Sequence, residues 1–105
     1  MQANFQDVES FYNTKINNAL TEADRLVFKS EQYALQMIYL RDNKIGAEKL
    51  AMEYSGAKSA LFAEKALECQ RQLDEISQKH VKLAWEAQQA GVKINSVEAE
   101  IGWSH

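Results

Sequence analysis

From about residue 4 to residue 42, the apolar positions fall into helical rows. Phe5, Tyr12, Ala19, Leu26, Tyr33 and Leu40 recur every seven residues. Ile16, Ala23, Ser30 and Met37 form a neighbouring row, which Leu20, Val27 and Ala34 widen. Sustained three-and-four spacing predicts a helix with a broad buried stripe, either continuous or divided into two. Asn17, Asn18 and Thr21 mark the place for a division, and Thr21 with Asp24 resembles a weak capping box.

The polar stretch 41–46 (Arg-Asp-Asn-Lys-Ile-Gly) is the clearest interruption. Asn43 and Gly46 tolerate the left-handed backbone that ends helices, so a helix–helix turn is expected over 42–46. A second periodic segment covers 47–90. Leu50, Tyr54, Ala57 and Leu61 form its early stripe. After a drift of the face near Ser59, the stripe continues through Phe62, Ala66, Cys69, Leu73, Ile76, His80, Leu83 and Ala87. Gly56, Ala60 and Ala63 form a row of small residues that would admit another helix backbone closely. Gly91 followed by Val92 matches a glycine C′ position with an apolar residue after it. The remainder, 91–105, carries Ile94, Val97, Ile101 and Trp103, too apolar for a simply solvated tail.

The fold expected is therefore all-α. It is a single domain over 1–105, an antiparallel hairpin of long helices with coiled-coil-like spacing and a short C-terminal appendage. A kink in the first arm (4–42) would turn the hairpin into a three- or four-helix bundle. Composition agrees: 105 residues contain no proline, four glycines and 46% hydrophobic residues, enough for a core with few helix breakers.

Charge and candidate chemistry mostly narrow the function. A net charge of -3, with both signs interleaved, disfavours non-specific binding to nucleic acid or an anionic membrane. No apolar run approaches the ~20 residues needed to cross a bilayer. The single cysteine, Cys69, has no partner within the chain, and no secretory signal is visible, so a reducing, cytoplasmic setting is expected.

Neither His80 nor His105 has a glutamate three residues before it, as a carboxylate-bridged metal bundle requires. Cys69 and His80 would lie ~16 Å apart along one helix, too far to share an ion. Glu64 and Glu68 stand one turn apart, a spacing that can raise one carboxyl's pKa, yet no pocket or orienting group accompanies them. No Gly-rich phosphate loop or nucleophile elbow is present. No catalysis and no cofactor are expected.

The most unusual feature is the run 33–40 (Tyr-Ala-Leu-Gln-Met-Ile-Tyr-Leu), apolar almost all around a helix. Tyr33, Met37 and Leu40 belong to the main stripe. Phe28, Leu35 and Tyr39 form a different row, with Ile38 between the two. A hairpin partner covers only one side of such a helix, so a second copy, a third helix or another protein must cover the other. Phe28, Leu35, Ile38 and Tyr39 are thus the expected protein-interaction face, with Ile101 and Trp103 as a tail anchor if the appendage folds back.

The function expected is a non-catalytic helical protein–protein interaction module. It would serve as an assembly subunit, adaptor or small chaperone that binds another protein or a second copy, most simply as a homodimer. The alternative is a small inhibitor or immunity-type protein with one dedicated partner.

Overall fold

The computed structural model describes residues 5–94. They form three helices, α1 (Phe5–Asn17), α2 (Glu22–Glu53) and α3 (Gly56–Gln89). No strand occurs among the described residues.

The first arm is divided where the asparagines and Thr21 stand. After α1 the Asn18 and Ala19 amides still bond to the Thr14 and Ile16 carbonyls. Extended backbone then follows at Thr21, whose Oγ1 accepts from the Asp24 amide at 3.1 Å. That bond satisfies one of the donors left open at a helix start. Thr21 therefore starts a new helix and does not continue the old one.

The expected turn at 42–46 is not there. α2 runs through it without interruption, and the chain reverses at Tyr54 and Ser55. The reason is visible in the spacing. Met37, Leu40, Lys44, Ala47 and Ala51 keep a three-and-four rhythm across the polar stretch, so the face toward α3 never lapses. Lys44 sits on that face and donates to Gln70 Oε1 at 2.6 Å, a polar contact in place of an apolar one. Gly46 costs the helix ~1 kcal/mol relative to alanine, too little to break it between flanking turns that pack.

The real turn is built by other residues. Tyr54 and Ser55 are extended, and Gly56 takes φ of 67°, a left-handed backbone that favours glycine. Ser59 Oγ donates to the Ala51 carbonyl at 2.6 Å, covering an end group of α2. Gly56 is thus a turn residue, not a mid-helix packing position. The small row it was expected to share with Ala60 and Ala63 lies exposed.

At the other end α3 stops as expected. Gly91 has φ of 73°, its amide bonds to the Gln88 carbonyl, and the Val92 amide bonds to the Ala87 carbonyl at 2.8 Å. This pair of bonds is the Schellman arrangement.

α2 and α3 pack in antiparallel order. Leu26 meets Leu83 and Ala87, and Ser30 meets His80. Met37 and Leu40 meet Leu73 and Ile76. Lys44 meets Gln70, and Ala51 meets Ser59. α1 packs on α2, also antiparallel: the Phe5 ring lies 6.3 Å from that of Tyr39, and Lys15 lies 5.2 Å from that of Phe28. Between them Gln32 Nε2 donates to the Glu9 carbonyl and to Asn13 Oδ1, both at 3.1 Å. Val8 and Tyr12 are the buried residues of α1.

Candidate interaction surfaces

α1 has 13 residues and α2 has 32. At 1.5 Å per residue they span about 20 Å and 48 Å, so α1 covers less than half of α2. The molecule therefore has a three-helix part and a two-helix part. The two-helix part, here called the tip, comprises residues 43–53 of α2 and 56–70 of α3.

The two parts bury different things. Around α1 and beside it, the core holds Leu26, Met37, Leu40, Leu73, Ile76 and Leu83. In the tip the buried apolar residues are Ala47 and Ala66. Large apolar side chains there lie outside: Met52 is 87% exposed, Leu67 70%, Leu61 53%, with Ile45 and Tyr54 near half.

On one side of the tip, a groove of about 460 Å³ runs between α2 and α3. Gly46, Ala47, Leu50, Phe62 and Cys69 make its apolar lining. Asp42, Lys65 and Glu68 supply its charges. A neighbouring hollow shares Asn43 and Cys69 with it and reaches Phe5, the first residue of α1. The groove is the continuation of the seat that α1 occupies, on the same side of the α2–α3 pair. A Cβ built on Gly46 meets nothing within 4 Å, so its wall is open. At the turn the rings of Tyr54 and Phe62 stack with centroids 5.6 Å apart.

The row expected as an interaction face is divided. Phe28 and Tyr39 are half-buried against α1, through Lys15 and Phe5. Ile38 is half-buried beside the main core, and Leu35 remains 41% exposed. The third helix that meets this row is the N-terminal segment of the same chain. Ile101 and Trp103 lie outside the described residues. Val92 and Ile94 pack against Leu26, Leu83 and Ala87.

A second exposed pair, Val81 and Trp85, lines a shallow cleft with Leu26, Lys82 and Glu86 at the end opposite the tip. Periodicity alone does not reveal the tip surface, because it places Leu50 and Leu61 on one helix whereas they stand on α2 and α3. The drift of the stripe near Ser59 was the available signal, together with the Ser55-Gly56 pair.

The candidate reactive groups sit in ordinary surroundings. His80 is buried, with Nε2 3.3 Å from Ser30 Oγ. The Cys69 thiol is half-buried, and burial, then the charge of Glu68, pushes its pKa up, which lowers its thiolate fraction. Glu68 is shifted opposite to a raised catalytic acid: hydrogen bonds from Arg71 and then Gln72 hold its carboxyl down at about 2. Burial raises the Tyr12 phenol, and the carboxylate of Glu31 adds to the shift.

Among the described residues no cluster of three or more His, Cys, Asp or Glu could hold a metal ion. No described helix is long and apolar enough to cross a membrane. No protein-family model, curated protein or solved structure shows a significant match to the chain.

Proposed function

We propose that this protein is a non-catalytic helical interaction module, an assembly subunit or adaptor that acts by packing helices against helices. The observation that carries the reading is the tip. It buries only alanines between its two helices and leaves Leu61, Leu67, Met52 and Ile45 substantially in water. Covering one such side chain is worth ~1.5–3 kcal/mol, so leaving four of them exposed on one short stretch favours association. The partner engages helix faces or the groove between them, and its contact surface is mostly apolar.

Site-specific photo-crosslinking in the cell that makes the protein tests this. A photoreactive residue at Leu61 or Leu67 is expected to give discrete protein adducts, whereas one at the solvated position Lys79 is not. Adducts that are absent from both tip positions, or equal at all three, would sink the interaction reading.

A further inference from the structure

We infer that the segment 95–105, outside the described residues, docks along the side of the α2–α3 pair opposite α1 and closes it as a fourth layer. The inference does not depend on the interaction reading. It says which side of the molecule the chain covers for itself.

Three consecutive residues map the surroundings of α2. Met37 meets Leu73 and Ile76 of α3, and Tyr39 meets Phe5 of α1. Ile38 stands between them in sequence, so at about 100° per residue it points to a third side. It is nevertheless half-buried, packed against the Met37–Leu40 cluster. Ile45, seven residues on in the same row, is 46% exposed. On α3, Gln72 borders the hollow beside Phe5 and so marks the side of α1. Ser77 is turned about 140° from Gln72, away from α1, and is only 5% exposed. Val27, Ala34 and Ala84 share this side and are partly buried. Among the described residues no helix lies across it.

The chain itself leads there. Val92 and Ile94 pack against Leu26, Leu83 and Ala87, which brings the start of the segment level with 83–87 of α3. Ser77 lies about 9–15 Å back along that helix. The 11 residues of 95–105 cover ~16 Å as a helix and ~36 Å extended, so either form reaches it. Val97 and Ile101 continue the three-and-four spacing from Ile94, which is already seated, and Trp103 adds a large apolar ring. The seat suits such a segment: Ala34, Ser77 and Ala84 are small enough for close approach, and Val27 and Ile38 supply apolar contact. The open Ile45 sets the far limit of the cover.

Paramagnetic relaxation in the full chain tests the inference. A nitroxide at Ser104→Cys, on a Cys69→Ser background, is expected to broaden the amides of Ala34, Ile38 and Ser77 severalfold more than those of Lys29, Gln72 and Lys79 on the α1 side. Broadening that is absent, equal on the two sides or stronger on the α1 side overturns the docking. The same label on a nitrogen-14 chain, mixed with unlabelled nitrogen-15 chain, should broaden nothing. Broadening carried between chains would give the seat to a second copy and overturn the inference as well.

Fluorescence supplies a readout without a label. Trp85 is 64% exposed, and in Trp85→Phe the emission comes from Trp103 alone. That emission should lie to the blue of free tryptophan and resist quenching by acrylamide until the protein unfolds in urea. An emission and quenching like those of free tryptophan, in a variant that keeps its helicity, removes Trp103 from the seat and overturns the docking.

Discussion

The same two helices behave differently in their two halves. Beside α1, α2 and α3 interleave Leu26, Met37, Leu40, Leu73, Ile76 and Leu83. In the tip they approach through Ala47 and Ala66, and the large side chains splay outward. The helices are continuous, so backbone hydrogen bonding does not distinguish the halves. What differs is the number of neighbours. Two helices alone enclose a narrow seam; in the other half Phe5 of α1 covers the Met37–Leu40 cluster, and Val92 and Ile94 cover Leu26 and Leu83, which makes an interior that leucines can fill. The stability of the monomer therefore resides in one half, and its unsatisfied apolar surface in the other.

Truncating a leucine in each half should separate them by the largest margin. Leu73 is 1% exposed, so Leu73→Ala leaves a cavity and is expected to cost about 2–5 kcal/mol. Leu61→Ala, measured at a concentration where the protein is monomeric, should cost less than about 0.5 kcal/mol, as for most exposed sites. Urea denaturation of both variants makes the comparison. Equal losses would mean that the tip carries a core of its own.

Hydrogen exchange should resolve the same contrast without mutation. Amides in 26–40 and 73–87 are expected to exchange only through global unfolding, and those in 43–53 and 56–66 through cheaper local opening. The tip's protection should rise with protein concentration if a second copy covers it. Uniform protection in dilute solution would erase the distinction between the halves.

The part of the fold legible in the sequence was the part set by local rules. Periodicity points to helices and no strands, and Thr21 and Gly91 mark boundaries where capping chemistry demands them; Phe28 and Tyr39 of the second apolar row lie against α1, while Leu35 stays exposed. The misplaced turn has a physical cause. Stretch 41–46 looks polar, but Lys44 occupies a core-facing position through its long stem and its bond to Gln70, so helix packing continues where composition suggests a break. What covered the second row was not legible either, because α1 reaches it only after a reversal at 18–21 whose direction no local pattern states. For the candidate site, Leu61 and Leu50 appeared among the apolar residues, yet their role depended on which helix each occupies.

Glycines give a smaller test, with opposite signs in similar residues. Gly46 is helical with open space at its Cβ, so Gly46→Ala should stabilise the monomer by about 0.5–1 kcal/mol. Gly91 holds φ of 73°, so Gly91→Ala should destabilise by about 1 kcal/mol or more. Thermal melts of the two variants should move in opposite directions. A destabilised Gly46→Ala would mean that the tip groove is tighter than its geometry indicates.

The smallest effect expected lies in the surface ion pairs on the solvent side of α3. Arg71 bonds Glu68 and Glu75 on its own helix, at i,i+3 and i,i+4. Its guanidinium, with help from Gln72, holds the Glu68 carboxyl at about 2 against an ordinary 4.5. A carboxyl with a lowered folded-state pKa adds stability that is fully present above the unfolded value and is lost as pH falls through the folded one. The contribution should therefore be intact above about pH 5 and fade between there and about pH 2. All three side chains are more than half exposed, so solvent and salt screen the effect. A carbon-13 NMR titration of the Glu68 carboxyl should show its midpoint well below that of an unpaired glutamate, and Arg71→Gln should return it toward 4.5. The melting temperature of that variant near neutral pH should barely move, since the fold is held by the interleaved leucines beside α1. A large drop on Arg71→Gln would instead show that local ion pairs, more than packing, hold this stretch of α3.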